Sequence, residues 1–266
     1  MSREGPLFLK LGGSLITDKT AVETVRQGVL DRLAAEIAKA RRMRPEMQLL
    51  IGHGSGSFGH SAAARYQTQV GVDGDEQWMG FCQVSAAAAR LNRLVCEALL
   101  QAGVPAASMQ PSASAVCDNG ALVEMATKPV EAALKSGLVP LVYGDVAFDR
   151  VKGGTIISTE KVLSFLSTRL KPSWLLLAGD TPGVYDSSGR PVRQITPATV
   201  GEIEGALGAS AGTDVTGGMA GKVRDMLALV QAEQSLAIRI FSGKDPGRLQ
   251  AVLLDPGQAA GTLITR

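Results

Sequence analysis

Histidine and cysteine are scarce in this sequence, with two and three copies in 266 residues. His53 and His60 are too few for a multi-histidine metal site. Cys82, Cys96 and Cys117 form no C-x-x-C pair and are odd in number. That argues against a disulfide framework or a structural zinc, and fits a reducing compartment. Charge of one sign is lacking too: 27 basic against 25 acidic residues leave a net +2, no footprint for nucleic acid or an anionic membrane. No window approaches the ~20 apolar residues of a membrane-spanning helix, and Met1–Pro6 does not read as a secretory signal. The expectation is a soluble, cytoplasmic protein. Hydrophobic residues at 45% and charged residues at 20% exclude a disordered chain, a coiled coil and a collagen-like repeat.

Glycine is plentiful, 31 residues, and gathers in loops that follow apolar runs. Pro6–Leu11, Gln48–Gly52, Leu138–Tyr143, Trp174–Ala178 and Leu236–Phe241 read as buried strands. Helices are predicted over 21–43, from Val22, Val25, Val29, Leu33 and Ile37 at helical spacing, and over 82–102, 160–170 and 218–234. Gly103 is placed as the residue closing the second helix. Ala147–Ile157 reads as a hairpin with Gly153-Gly154 in its middle. Strands alternating with helices predict a three-layer α/β/α sandwich on a mostly parallel sheet, where ligands bind beyond the carboxyl ends of the strands. A soft boundary at Lys171-Pro172 divides a lobe of residues 1–170 from one of 171–266 over a single continuous sheet.

Five segments sit at those strand ends. Lys10-Leu11-Gly12-Gly13-Ser14 combines a lysine, a backbone that can approach an anion closely, and a helix start. The bland alternative is a tight turn with a surface lysine. Gly54-Ser55-Gly56-Ser57-Phe58-Gly59-His60 is formally G-x-G-x-x-G, but the acids that follow, Asp73, Asp75 and Glu76, lie in an apparent loop and not at a strand end. A phosphate cradle is therefore preferred to a dinucleotide site. His60 is a candidate phosphate ligand, whereas His53, ending an apolar strand, reads as a buried, backbone-bonded histidine. Thr216-Gly217-Gly218 leads into a helix with Lys222 one turn in. It fails the P-loop pattern because Val223 stands where Ser or Thr would bind magnesium. Asp180-Thr181-Pro182-Gly183-Val184-Tyr185 reads as a nucleotide-side turn or an ordinary Asp/Pro/Gly turn. Asp145, after Tyr143-Gly144, reads as a residue orienting a lysine or a metal-bound water, or as a turn residue.

In this order the segments resemble the amino acid kinase superfamily, through Lys10-x-Gly12-Gly13-Ser14, the Gly54–Gly59 loop, Asp180-x-x-Gly183-Val184-Tyr185 and Thr216-Gly217-Gly218-Met219-x-x-Lys222. Within it, Ile16-Thr17-Asp18-Lys19 and Gly54-x-Gly56-Ser57-Phe58-Gly59-His60 resemble the isopentenyl phosphate kinases, with fosfomycin kinase a close relative. The resemblance implies ATP and Mg2+, isopentenyl phosphate as acceptor and a homodimer. It implies Lys10, Lys19, His60 and Lys222 as catalytic residues. Gly12, Gly13, Ser14, Gly56, Asp180, Gly183, Tyr185, Gly218 and Lys222 would hold the nucleotide. Gly54, Ser55, Gly59, His60, Gly154 and Ser158 would hold the acceptor, and no protein ligand to metal is assigned. Ser158-Thr159-Glu160 stands where the family commonly has Ser-Gly-Asp, with Glu160 in place of the acid. Tyr66, Trp78, Met79 and Phe81, with Ala62 and Ala63, read either as a pocket for a prenyl tail or as core. Phosphoryl transfer to a monophosphate needs no strong base, because its oxygen is already an anionic nucleophile. Two alternatives remain, a sibling kinase or a non-catalytic small-anion-binding protein.

Overall fold

The computed structural model describes residues 5–59, 66–201, 218–257 and 261–266. The chain runs β1 (Leu7–Leu11), α1 (Gly13–Ile16), β2 (Thr17–Asp18), β3 (Thr24–Val25), α2 (Gln27–Met43), β4 (Leu49–His53), α3 (Asp75–Gln101) and β5 (Ala106–Ser108). It continues with β6 (Val116–Asp118), β7 (Ala121–Glu124), α4 (Lys128–Lys135), β8 (Val139–Tyr143), β9 (Asp145–Asp149) and β10 (Gly153–Ile157). Then come α5 (Thr159–Leu170), β11 (Trp174–Gly179), β12 (Gln194–Ile195), α6 (Gly218–Ala232), β13 (Ala237–Ser242), α7 (Arg248–Leu254) and β14 (Thr262–Ile264).

An eight-stranded sheet has the order β12-β14-β13-β11-β1-β4-β8-β5. All its pairings are parallel except β13–β14. β1 sits at its centre, paired with β4 on one side and β11 on the other. Because side chains alternate along a strand, Leu7, Leu9 and Leu11 pack under α2, α3 and α7. Phe8 points the other way, into the core with Val162, Leu163 and Leu166 of α5 and Val223 and Met226 of α6. Lys10 therefore shares Phe8's face, and this parity aims it at α5 and α6. A separate four-stranded sheet has the order β10-β9-β6-β7.

Three boundaries depart from the pattern reading. The helix expected over 21–43 begins at Gln27, and residues 17–25 instead form the β2–β3 hairpin. Val22 stands 73% exposed, and Arg26 N–H donates to Ile16 O at 2.9 Å, closing the hairpin. The valine spacing that matched a helix belonged to two elements. The helix expected from residue 82 starts at Asp75, with Asp75 and Glu76 in its first turn, where the helix dipole favours acids. Those carboxylates are thus tied to a helix start. In the β9–β10 hairpin the turn is Arg150–Lys152, and Gly153-Gly154 opens the second strand.

Candidate active site

Two glycine loops meet at the carboxyl ends of β1 and β4. A Cβ on Gly13 would lie 2.4 Å from Gly56 N, and one on Gly54 would lie 2.8 Å from Gly13 N. The loops touch backbone to backbone, which no side chain permits. Gly56 also has φ +50°, the left-handed region, so the freedom needed in this loop falls there and not at Ser55. Thr17 fastens the assembly: its hydroxyl donates to Gly13 O at 2.7 Å and accepts from Ser57 N–H at 3.0 Å. Residues 56–59 are helical, with Gly59 N–H donating to Ser55 O. The Gly12, Gly13, Ser14, Gly54, Ser55, Gly56 and Gly59 candidates are thus gathered in one place.

The charged centre is Lys10, Glu160 and Lys222. Glu160 lies in the first turn of α5, whose N-cap is Ser158, accepting from Lys161 N–H at 3.2 Å. Thr159 seats that helix end over β4 by donating its hydroxyl to His53 O at 2.6 Å. Lys10 Nζ donates to Glu160 Oε1, with side chains 13% and 14% exposed. Burial pushes the Glu160 carboxyl up, but the Lys10 ammonium, its hydrogen bond and the Lys222 charge outweigh this and hold it below the usual carboxylate range. Two lysines from opposite halves of the chain thus act on one largely buried carboxylate, at the carboxyl edge of the sheet, where open α/β folds bind their ligands.

The other candidates divide. Asp180 follows β11, and its Oδ1 is buried without a hydrogen bond. Gly183 packs on β14, where a Cβ would lie 2.4 Å from Thr262 Oγ1. Tyr185 is exposed and bridges to Pro191. Gly218 opens α6. Gly154 lies under Phe81 and Val72, 2.9 Å from where its Cβ would be. Lys19 is exposed in the β2–β3 turn. His60, Ala62, Ala63, Thr216 and Gly217 lie outside the described residues. His53 is fully buried, with its ring nitrogens 3.2 Å from Gly54 O and from Asn92 Oδ1; burial pushes its pKa down to about 4. Asp145 opens β9, where it is buried and accepts from Ser85 Oγ–H, Ser112 N–H and Val146 N–H. Burial raises its pKa.

The pattern reading missed Ser242-Gly243-Lys244 at the end of β13. Its Gly243 N–H donates to Gly179 O at 2.9 Å, and Lys244 Nζ lies 3.9 Å from Asp180 Oδ1. The available signal was a Ser-Gly-Lys turn directly after an apolar strand.

The amino acid kinase family model matches residues 6–242. The chain belongs to the amino acid kinase family. As a member of it, the chain is similar to the isopentenyl phosphate kinase of Methanothermobacter thermautotrophicus, 35% identical, covering 97% of this chain and 98% of that one. It is also similar to the isopentenyl phosphate kinase of Methanocaldococcus jannaschii, 31% identical over 97% of each. A solved isopentenyl phosphate kinase structure matches with TM-score 0.82 and 32% identity, covering 97% of this amino acid kinase and 99% of that chain. The three-layer α/β/α architecture on a mostly parallel sheet is the fold of this family.

Proposed function

We propose that this kinase transfers the γ-phosphoryl group of ATP to isopentenyl phosphate, giving isopentenyl diphosphate. The observation that carries the reading is the largely buried Lys10–Glu160 ion pair, within electrostatic reach of Lys222, beside two abutting glycine loops. Phosphoryl transfer is mainly alignment and charge neutralisation. The lysines neutralise charge on the transferring group, and Glu160 keeps the Lys10 ammonium from folding away when no substrate is present. Backbone N–H groups of residues 12–14 and 54–56 cradle phosphate oxygens. A monophosphate acceptor needs no general base, and His53, buried and bonded through both ring nitrogens, is not offered as one.

In this reading residues 1–170 bind the acceptor and 171–266 the nucleotide. His60 binds the acceptor phosphate, Lys19 assists the transferring group, and Ser158 and Gly154 lie on the acceptor side. Asp180, Gly183, Tyr185 and Gly218 lie on the nucleotide side. The isoprenoid tail is taken by the apolar cluster of Val72, Trp78, Phe81, Val146 and Ile156, which is separate from the two main cores and adjoins Gly154. Mg2+ would be held by the ATP phosphates, with no protein ligand assigned to it. No group of three or more His, Cys, Asp or Glu side chains among the described residues is arranged as a metal cage, and this donor set suits an ion held mostly by phosphates and water. When bound, Mg2+ supplies charge neutralisation at the β- and γ-oxygens. We also propose a cytoplasmic homodimer. No helix among the described residues is long and apolar enough to cross a membrane.

A coupled ADP-release assay over isopentenyl phosphate, fosfomycin, acetylglutamate and UMP tests the reading. Turnover is expected with isopentenyl phosphate. Turnover of another acceptor instead would make this a sibling kinase, and ATP binding without turnover of any acceptor would revive the anion-binding alternative.

A further inference from the structure

We propose that Lys244 is a nucleotide-binding residue and that the Arg32–Glu36 pair positions it. The inference rests on the kinase reading above.

Topology comes first. β13 runs parallel to β11, and β11 parallel to β1. The three strands therefore deliver Lys244, Asp180 and the Gly12-Gly13 loop to the same edge of the sheet, where ligands bind. The Lys244 turn is seated closely there. A Cβ on Gly243 would lie 2.4 Å from Leu15 Cδ2, so the turn rests directly on α1, the helix that follows the Gly12-Gly13 loop.

The electrostatics point the same way. Lys244 Nζ lies 3.9 Å from Asp180 Oδ1, beyond hydrogen-bond range. That oxygen is buried and accepts no hydrogen bond, so an acceptor stands open next to an ammonium group. The Lys244 side chain is 54% exposed. A pair at this separation, with its lysine in solvent, adds little to stability, so the fold does not explain the lysine.

What the fold does secure is the turn that carries it. Arg32, on α2, donates through Nη2 to Gly243 O at 2.7 Å and through Nη1 to Glu36 Oε1 at 2.6 Å. Glu36, one helical turn on and with a side chain 9% exposed, also accepts Gly247 N–H at 2.9 Å and Gln250 N–H at 3.2 Å. Gly243 and Gly247 are thus both clamped to α2, with Lys244 between them. A rigid turn then presents one cation and one open carboxylate oxygen beside a glycine-lined anion cradle. The carboxylate suits a hydroxyl donor and the ammonium an anionic oxygen, and a nucleoside triphosphate carries both.

The test titrates wild type, Lys244→Ala, Lys244→Arg and Arg32→Lys with ATP alone by calorimetry, then measures KM for ATP and for isopentenyl phosphate. Lys244→Ala is expected to weaken ATP binding about tenfold, the scale of one charge-assisted hydrogen bond. It should raise the ATP KM to match and leave the isopentenyl phosphate KM within about twofold. Lys244→Arg keeps the charge and retains most of the affinity. Arg32→Lys keeps its charge but cannot serve Gly243 and Glu36 together. It is expected to raise the ATP KM by a smaller factor, again without moving the acceptor KM. Unchanged ATP affinity in Lys244→Ala, or an equal loss for both substrates, overturns the proposal. If wild type binds no ATP, the kinase reading falls with it. If wild type binds ATP but phosphorylates a different acceptor, only the acceptor assignment fails and the titrations still decide Lys244.

Discussion

Lys10 and Glu160, 150 residues apart in the chain, form an ion pair that is largely withdrawn from solvent. One comes from the central strand, the other from the first turn of α5. Neutralising the carboxylate is more informative than removing it. Glu160→Gln keeps the shape but releases Lys10, and is expected to lower kcat by about 10- to 100-fold. Glu160→Asp, one methylene shorter, should keep more activity than Glu160→Gln. Steady-state kinetics with saturating ATP decide this, and equal rates for Glu160→Gln and wild type would contradict the arrangement.

Lys10→Ala removes the positive charge nearest that carboxylate. It is expected to cut kcat by about two or more orders of magnitude while far-ultraviolet circular dichroism stays like wild type.

His60→Ala addresses the acceptor end. The expected result is a raised KM for isopentenyl phosphate or lost turnover, with ATP affinity unchanged by calorimetry. Normal kinetics for both substrates would remove His60 from the site.

His53 sets a pH dependence of stability. Its folded pKa is about 4, down from 6.5, mainly through burial. The unfolded chain therefore takes up a proton before the folded one does. The stability held above pH 6.5 is lost progressively as the pH falls from 6.5 toward 4, by about 2 kcal/mol at pH 5. Urea midpoints measured at pH 7 and pH 5 should show the decline, and a His53→Asn variant should show a smaller one.

Glycine substitutions separate contact from conformation. A Cβ on Gly56 would fall 2.0 Å from Thr17 Oγ1, on a backbone of positive φ. Gly56→Ala is expected to cost at least about 2 kcal/mol and to abolish turnover. Gly28, in the first turn of α2 with nothing near its Cβ position, is the opposite case. Gly28→Ala should raise stability by about 0.5 kcal/mol. Thermal melts compare the two.

The five inner strands β13, β11, β1, β4 and β8 were legible because they are continuous apolar runs, buried on both faces, whereas the short outer strands β5, β12 and β14 were not read. The ends of the inner strands were found to within a residue or two: the run read at Gln48–Gly52 is observed at Leu49–His53, and that at Leu236–Phe241 at Ala237–Ser242. The helix ends were harder. Val22 and Val25 fit the α2 period by coincidence, because a short hairpin held by Thr17 and Arg26 has no signature in residue spacing. The Asp75 start of α3 was hidden among loop-like residues, Gly71 to Gly74.

The candidate site was legible as parts. Its lysines and glycines stood out because each follows a strand and because the resemblance to a kinase family named them. Glu160 was noticed only as a departure from that family's pattern. Arg32, Glu36 and Lys244 carried too little local signal, since their partners lie on other elements.

Composition, the alternation of apolar runs and the placement of glycines were enough to determine a parallel α/β sandwich with anion-binding loops at its carboxyl edge. These are local properties, set by which residues tolerate burial and which backbones can bend. Only the tertiary structure decided that the two glycine loops abut, that Lys10 meets Glu160, and that Asp180 keeps an open oxygen beside Lys244. Each of these depends on strand order and on which face a side chain takes, and residues far apart in the chain become neighbours only when the whole sheet closes around β1.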